Sequence, residues 1–401
     1  MPEGMLTAAI NEFQPNDYLV WFYNVGYFTS WSQMRGGSYT DEYTGMNENG
    51  GQGGQYIATL KYRNKIQEYI NNTGEVENNG YLAATGILTI YLGIFDTDMY
   101  TDYDDIGALA ILHALADEGA CEIAAVGCNT WGEGNKSVAT CEVLNGWYGR
   151  SGIPVGCARS GGQQGPGDAG YGLPEKYPQY VRHAVSTNAP WAVDVYRAAL
   201  ASAPDKSIVL CSVGFLNNVA DLLRTDRGLV ARKVKTWVCM GFDYPKGKEY
   251  NAAGDPSSSA YALANWPADV PIVFVDFPVG RHCYAGRAVA ELPGTANPVR
   301  DAFRAKMLPR EKVVPGESWD QLAGHPSWDE IAALIAVRGW EPYFSLQRGA
   351  HRMTGADGTN IWEECPGSPH GRVAFKTSPE AVGRILDEFM CREPKRKAKG
   401  L

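Results

Sequence analysis

The run Ile87-Leu-Thr-Ile-Tyr-Leu-Gly-Ile-Phe95 leads without a break into Asp96-Thr-Asp-Met-Tyr-Thr-Asp-Tyr-Asp-Asp105, and the reading of this stretch decides the fold. The first part has the length and the aliphatic and aromatic content of a buried strand. The second places five carboxylates in ten residues. Like charges this crowded at the end of a buried strand repel, and a divalent cation is the simplest compensation. Ile106-Gly-Ala-Leu-Ala-Ile-Leu-His-Ala-Leu115 follows with helical apolar spacing, so the carboxylates fall on a strand-to-helix loop, where α/β sheets collect their ligands.

Working outward, the same rhythm of strand then helix repeats from about residue 87 onward. Strands are expected at Glu122–Cys128, Ile153–Val155, Ser207–Cys211, Val234–Met240 and Pro271–Val275, with helices at Lys136–Tyr148, Trp191–Ala201, Leu216–Leu223 and Ser258–Asn265. This pattern predicts an α/β fold, a mostly parallel sheet with helices on both faces. The Gly- and Pro-rich segment from Ser160 to Pro190 reads as a long surface loop of the kind that lids a site. Residues 295–340 read as helices, 342–376 as short strands with Gly turns, and Glu380–Met390 as a last helix. The expected organisation is a 1–85 appendage, an α/β domain over 86–392 and a basic 393–401 tail whose charges have no apolar face beside them.

The appendage reads differently from the rest, being aromatic and rich in Asn, Gly and Tyr, with plausible helices at Asn11–Tyr23 and Ile57–Asn71. Its fragments Tyr27-Phe-Thr-Ser-Trp-Ser-Gln33 and Gly80-Tyr-Leu-Ala-Ala-Thr-Gly86 resemble patches of SusD-like outer-membrane glycan-binding proteins. A chain of 401 residues with 44% hydrophobic content can bury a large core. The net charge of −9 argues against a nucleic-acid surface. Nine cysteines, with no paired spacing, indicate neither a zinc site nor a disulfide framework. No apolar run reaches the roughly 18 residues of a membrane span, and the start Met-Pro-Glu-Gly-Met is not a signal sequence. The expectation is a cytoplasmic protein as written, periplasmic or secreted if the true N-terminus differs, with a homo-oligomer compatible.

A solvated acidic turn is the plain alternative for the carboxylate stretch, and the flanking strand and helix argue against it. An EF-hand loop fails on spacing, because its sixth and twelfth positions would be Thr101 and Gly107 rather than Gly and Glu. The haloacid-dehalogenase pattern DxDx[TV] fails at Tyr100. The stretch does resemble the DxDxxxDD metal motif of the inosine-uridine-preferring nucleoside hydrolases, in the longer form DxDMxxDxDD. Four later segments, all at strand ends or the loops beyond, match that family in order: Asn129, Ser212-Val-Gly-Phe-Leu-Asn-Asn218, Glu249-Tyr-Asn-Ala-Ala-Gly-Asp-Pro256 and His325-Pro-Ser-Trp-Asp-Glu-Ile-Ala-Ala-Leu334. The resemblance covers roughly residues 87–390.

This resemblance implies Ca²⁺ held by Asp98, Asp105, Asp329 and the Val213 carbonyl, with Asp98 also the general base. It implies ribose contacts from Asp104, Asn129, Glu249 and Asn251, with Met240 after its strand, and leaves Asp96 and Asp102 to support the ligands from behind. Trp328 stands where the family has the acid histidine, so the leaving-group acid passes to His325 if the loop brings it close, and Trp328 is left to cover or stack on the substrate. The function implied is Ca²⁺-dependent hydrolysis of N-glycosidic bonds in a small-molecule nucleoside or related riboside. A sugar-binding protein that kept the diol contacts and lost turnover is the first rival, and a metal-dependent phosphatase the second.

Overall fold

A computed structural model of the chain describes residues 91–99, 102–166, 172–307 and 324–395, all within the unit Tyr91–Leu401. The expected helices before residue 72, the glycan-binding-like fragments and most of the basic tail lie outside the described residues.

A ten-stranded sheet organises the unit. Its strands in chain order are β1 (Tyr91–Thr97), β2 (Cys121–Cys128), β3 (Val155–Cys157), β4 (Ile208–Ser212), β5 (Val234–Met240), β6 (Lys246–Gly247) and β7 (Ile272–Val275). A separate antiparallel pair, β8 (Tyr284–Gly286) with β9 (Gly324–Pro326), is followed by β10 (Phe344–Met353), β11 (Asn360–Glu364) and β12 (Gly371–Phe375). The order across the large sheet is β3-β2-β1-β4-β5-β7-β12-β10-β11-β6. The first seven run parallel, while β10, β11 and β6 join as antiparallel ribbons.

The chain thus builds one half of the sheet from β1 to β3, returns, and builds the other from β4 onward. The switch falls between β1 and β4, and the crevice beyond the carboxyl ends of strands at such a point is where doubly wound sheets bind ligands. Both faces are covered, as parallel sheets require. Phe95, Val209, Cys211, Val238 and Met240 join a core with the helices Asp104–Asp117, Trp328–Arg338 and Pro379–Met390. Their strand neighbours Ile94, Ile208, Leu210, Trp237 and Cys239 point to the other face, packed with helices Ala192–Ser202, Asn217–Lys233 and Pro256–Asn265.

Several local expectations shift. The first strand carries Asp96 and Thr97 inside it rather than stopping at Phe95, because Asp96 keeps its ladder partners Gly127 and Ser212 and finds side-chain donors of its own. Residues 342–376 form one strand of ten residues and two of five, not only short strands. The 160–190 segment is no free lid over its described length. Buried Glu142 accepts from the backbone N–H of Arg182 at 2.7 Å and of His183 at 2.9 Å, and pairs with both side chains, which staples the segment to the helix Ser137–Trp147. No helix among the described residues is long and apolar enough to cross a membrane.

Candidate active site

The end of β1 delivers Asp96 and Asp98, and the helix that follows starts on Asp104 and Asp105. Between them the backbone turns sharply. Met99, buried, has φ 41°, a left-handed conformation that costs a side-chain-bearing residue roughly 1–3 kcal/mol and clusters at functional sites. The turn aims Met99 N–H at Asp105 Oδ1 (3.2 Å), which also accepts from Thr97 Oγ1, while Thr130 Oγ1 donates to the Asp98 carbonyl at 2.7 Å.

The helix Trp328–Arg338 packs on the helix Asp104–Asp117 and brings Asp329, 225 residues along the chain, to Asp104. One oxygen each of Asp104, Asp105 and Asp329 lies within 4.8 Å of the others, and all three side chains are buried. Asp98 is buried beside them, and the charges of Asp105 and Asp104 act on its carboxyl. Asp104 therefore stands among the converging carboxylates. Burial raises the pKa of Asp98, Asp104 and Asp329 well above the carboxylate range, and the neighbouring carboxylates raise it further. Burial also lifts Asp105 to about 6, against the hydrogen bonds of Thr97, Asp98 and Met99. An oxygen-only set of this kind suits a hard divalent cation, whose charge would favour the ionised carboxylates that burial opposes.

Asp96 is held behind the cluster. Burial raises it to about 7 even though Tyr196 Oη donates to its Oδ2 at 2.6 Å and Asn129 Nδ2 to its Oδ1. Tyr196 reaches Asp96 across β2, and it passes where Gly127 has no side chain: a Cβ there would lie 1.6 Å from the phenol oxygen. Asn129 is fully buried, and its Oδ1 accepts from Phe215 N–H at 3.2 Å, so its amide is committed at both ends.

Beyond β4 and β5 the remaining segments interlock. Asn251 Nδ2 donates to the Val213 carbonyl and to Met240 Sδ, each at 3.3 Å. Glu249 caps the short helix Tyr250–Gly254, its carboxylate accepting from Asn251 and Ala252 N–H at 2.9 Å and from Phe242 N–H at 3.0 Å. Asp255 caps the next helix, with Pro256 at its first position.

His325, on β9, lies 3.0 Å from Asp102 through Nε2 and close to Asp104, its ring 4.3 Å from that of Tyr103. Burial pulls the imidazole pKa down, and the Asp102 and Asp104 carboxylates outweigh it, so it sits above its ordinary value. Trp328 is only 6% exposed. Its indole stacks on Phe277 at 5.3 Å, donates to the Phe277 carbonyl at 2.8 Å and fills the space that Gly280 leaves.

Tyr196, Thr97, Thr130 and the pairing of Asp102 with His325 are parts of the site that sequence reading does not single out. Gly127 inside a buried strand is the one local signal, since such a glycine marks a close approach.

The fold and the carboxylate cluster at its switch point define a doubly wound α/β protein whose ligand site lies at the carboxyl ends of its strands. The chain belongs to the inosine-uridine preferring nucleoside hydrolase family, whose family model matches residues 93–381. Solved structures share the fold at low identity. A purine-preferring ribonucleoside hydrolase from Gardnerella vaginalis is 18% identical (TM-score 0.57; 77% of this chain, 99% of that one). The inosine-uridine preferring nucleoside hydrolase from Bacillus anthracis is 17% identical (TM-score 0.51; 76% and 99%). The type III effector protein XopQ, in complex with adenosine diphosphate ribose, is 16% identical (TM-score 0.55; 76% and 93%). No curated protein matches the chain in sequence.

Proposed function

We propose that this protein hydrolyses the N-glycosidic bond of nucleosides or related ribosides with Ca²⁺ at the carboxylate cluster. The observation that carries the reading is the convergence of three buried carboxylates from two distant helices at the switch point of the sheet. Asp98, Asp105, Asp329 and the Val213 carbonyl would hold the ion, with Asp104 beside them. When bound, it supplies charge compensation and Lewis acidity toward water and a diol.

The chain's own residues then divide the work. Asp98 accepts the proton of the attacking water as the anomeric carbon develops oxocarbenium character. Asp104, Glu249 and Asn251 hold the sugar hydroxyls and orient the ring, Asn129 fixes Asp96 and the Phe215 backbone behind them, and Met240 lines the floor beneath. His325, whose pKa the Asp102 and Asp104 carboxylates raise against burial, hands its proton to the departing base. Trp328 closes the wall beside it with its N–H already spent, so it donates no proton.

That same commitment of Trp328 favours a second reading, a riboside-binding protein with little turnover. One assay panel separates the two: inosine, uridine and p-nitrophenyl riboside, each with and without EDTA. Turnover lost on chelation and restored by Ca²⁺ is the expected result, whereas binding without turnover of any of the three identifies the binder.

A further inference from the structure

The loop 241–254, which carries Glu249 and Asn251, has little regular structure of its own, and Glu249 gathers three of its backbone N–H groups. It includes only the two-residue strand β6 and a helix of five residues, and Phe242 within it adopts φ 72°. A side-chain-bearing residue stays in that region only where its surroundings over-determine it. Glu249 of the loop accepts from Phe242 N–H and Phe277 N–H donates to the Phe242 carbonyl at 2.9 Å, and the rest of those surroundings comes from the antiparallel arm β10–β11, far later in the chain.

Asn360, fully buried on β11, grips Asp243 in both directions: Asp243 N–H donates to its Oδ1 at 3.0 Å, and its Nδ2 donates to the Asp243 carbonyl at 2.8 Å. The same Nδ2 lies 3.1 Å from Nδ1 of His351 on β10. His351 stacks flat on Phe242 at 5.1 Å and is boxed by Phe274 and Trp362. Trp362 N–H donates to the Pro245 carbonyl at 2.9 Å, and β11 pairs with β6 at Asn360 and Ile361. At the tip, Gly358 sits so close that a Cβ would lie 2.4 Å from Ala253 Cα, and Lys248 pairs with Asp357 at 2.5 Å.

We propose that the β10–β11 arm positions the sugar-holding loop, with Asn360 as its positioning residue. The inference rests on the reading of Glu249 and Asn251 as sugar contacts. These contacts are made away from the bond that breaks, so loosening them weakens ground state and transition state alike and raises KM while leaving kcat.

The test uses the full chain with Asn360→Ala, with Gly358→Ala as a variant at the hairpin tip that spares the buried network, and with Asn251→Ala as reference. Hydrogen exchange at the Phe242 and Ala252 amides should speed up by about tenfold in the first two variants, as expected for local opening. KM for p-nitrophenyl riboside should rise about fivefold or more in all three, with kcat within about twofold. Unchanged exchange in both arm variants overturns the inference. So does a fall in kcat at constant KM that tracks the loss of folded protein. If Asn251→Ala raises KM and the arm variants do not, the arm is not the positioning element. If Asn251→Ala leaves KM alone as well, the sugar-contact reading fails first and the inference falls with it.

Discussion

Asp98 and Asp105 are both buried acids, and burial together with the neighbouring carboxylates raises the pKa of Asp98 well above its ordinary value. On the proposed mechanism a bound cation would favour the ionised carboxylate and let Asp98 accept a proton from water. Asp98→Asn preserves shape and removes that ability, so cleavage of p-nitrophenyl riboside should fall by about 10²- to 10⁴-fold, read as kcat. The proposed acid, His325, would act on the other side of the bond. His325→Ala should barely change the nitrophenyl substrate, whose leaving group needs little protonation, and should slow inosine and uridine by about 10²-fold or more. Equal effects on both substrate types would remove His325 from the acid role. Asp98 and Asp105 are legible in the sequence because crowded charge beside an apolar run is a local signal, whereas Asp329 enters only through the family resemblance of its segment. Tyr196 is not, since its value depends on an absent side chain at Gly127 on another element.

At the level of elements, the contact between the helix Ala192–Ser202 and β2 turns on that same absence. Gly127→Ala would push a methyl into the phenol of Tyr196, costing about 1–3 kcal/mol from overpacking and displacing the donor to Asp96. Urea denaturation should show a lower midpoint at unchanged slope, and an unaltered midpoint would mean that Tyr196 moves aside freely. The parallel strands are readable because burial on both faces writes them as continuous apolar runs; β5 falls at Val234–Met240, as its pattern predicts. The β10–β11 arm is harder to read. One face of β10 is exposed and charged, so its ten residues look like fragments separated by Gly349, and its purpose lies in a loop much earlier in the chain. The pair β8–β9 escapes notice because two three-residue strands carry no periodicity at all.

For the whole molecule, the buried carboxylates make stability depend on pH and cation together. Asp96 at about 7 and Asp105 at about 6 are raised above their unfolded values near 3.8, so the cation-free folded state binds protons that the unfolded chain has released. Its stability should fall as pH rises from about 4 to 7. A cation that favours the ionised carboxylates reverses this. Ca²⁺ at about a hundred times its dissociation constant adds about 2.7 kcal/mol, so the melting temperature of EDTA-treated protein should rise by several degrees at about pH 7.5 and much less at about pH 5. An equal rise at both values, or none, would place the ion elsewhere.

The distance in sequence between Asp98 and Asp329 also sets an order in time. A chain emerging from the ribosome presents β1 and its acidic turn early, and then carries those carboxylates without their distant partner while roughly two hundred further residues are made. The arm that grips Asp243 arrives later still. A product cut short before β9 therefore has the crowded acids and not the helix that carries Asp329, and one cut short before β11 lacks the Asn360 that holds Asp243. The carboxylates therefore wait first for the helix that brings Asp329, and the loop at Asp243 waits longer still for the strand that carries Asn360.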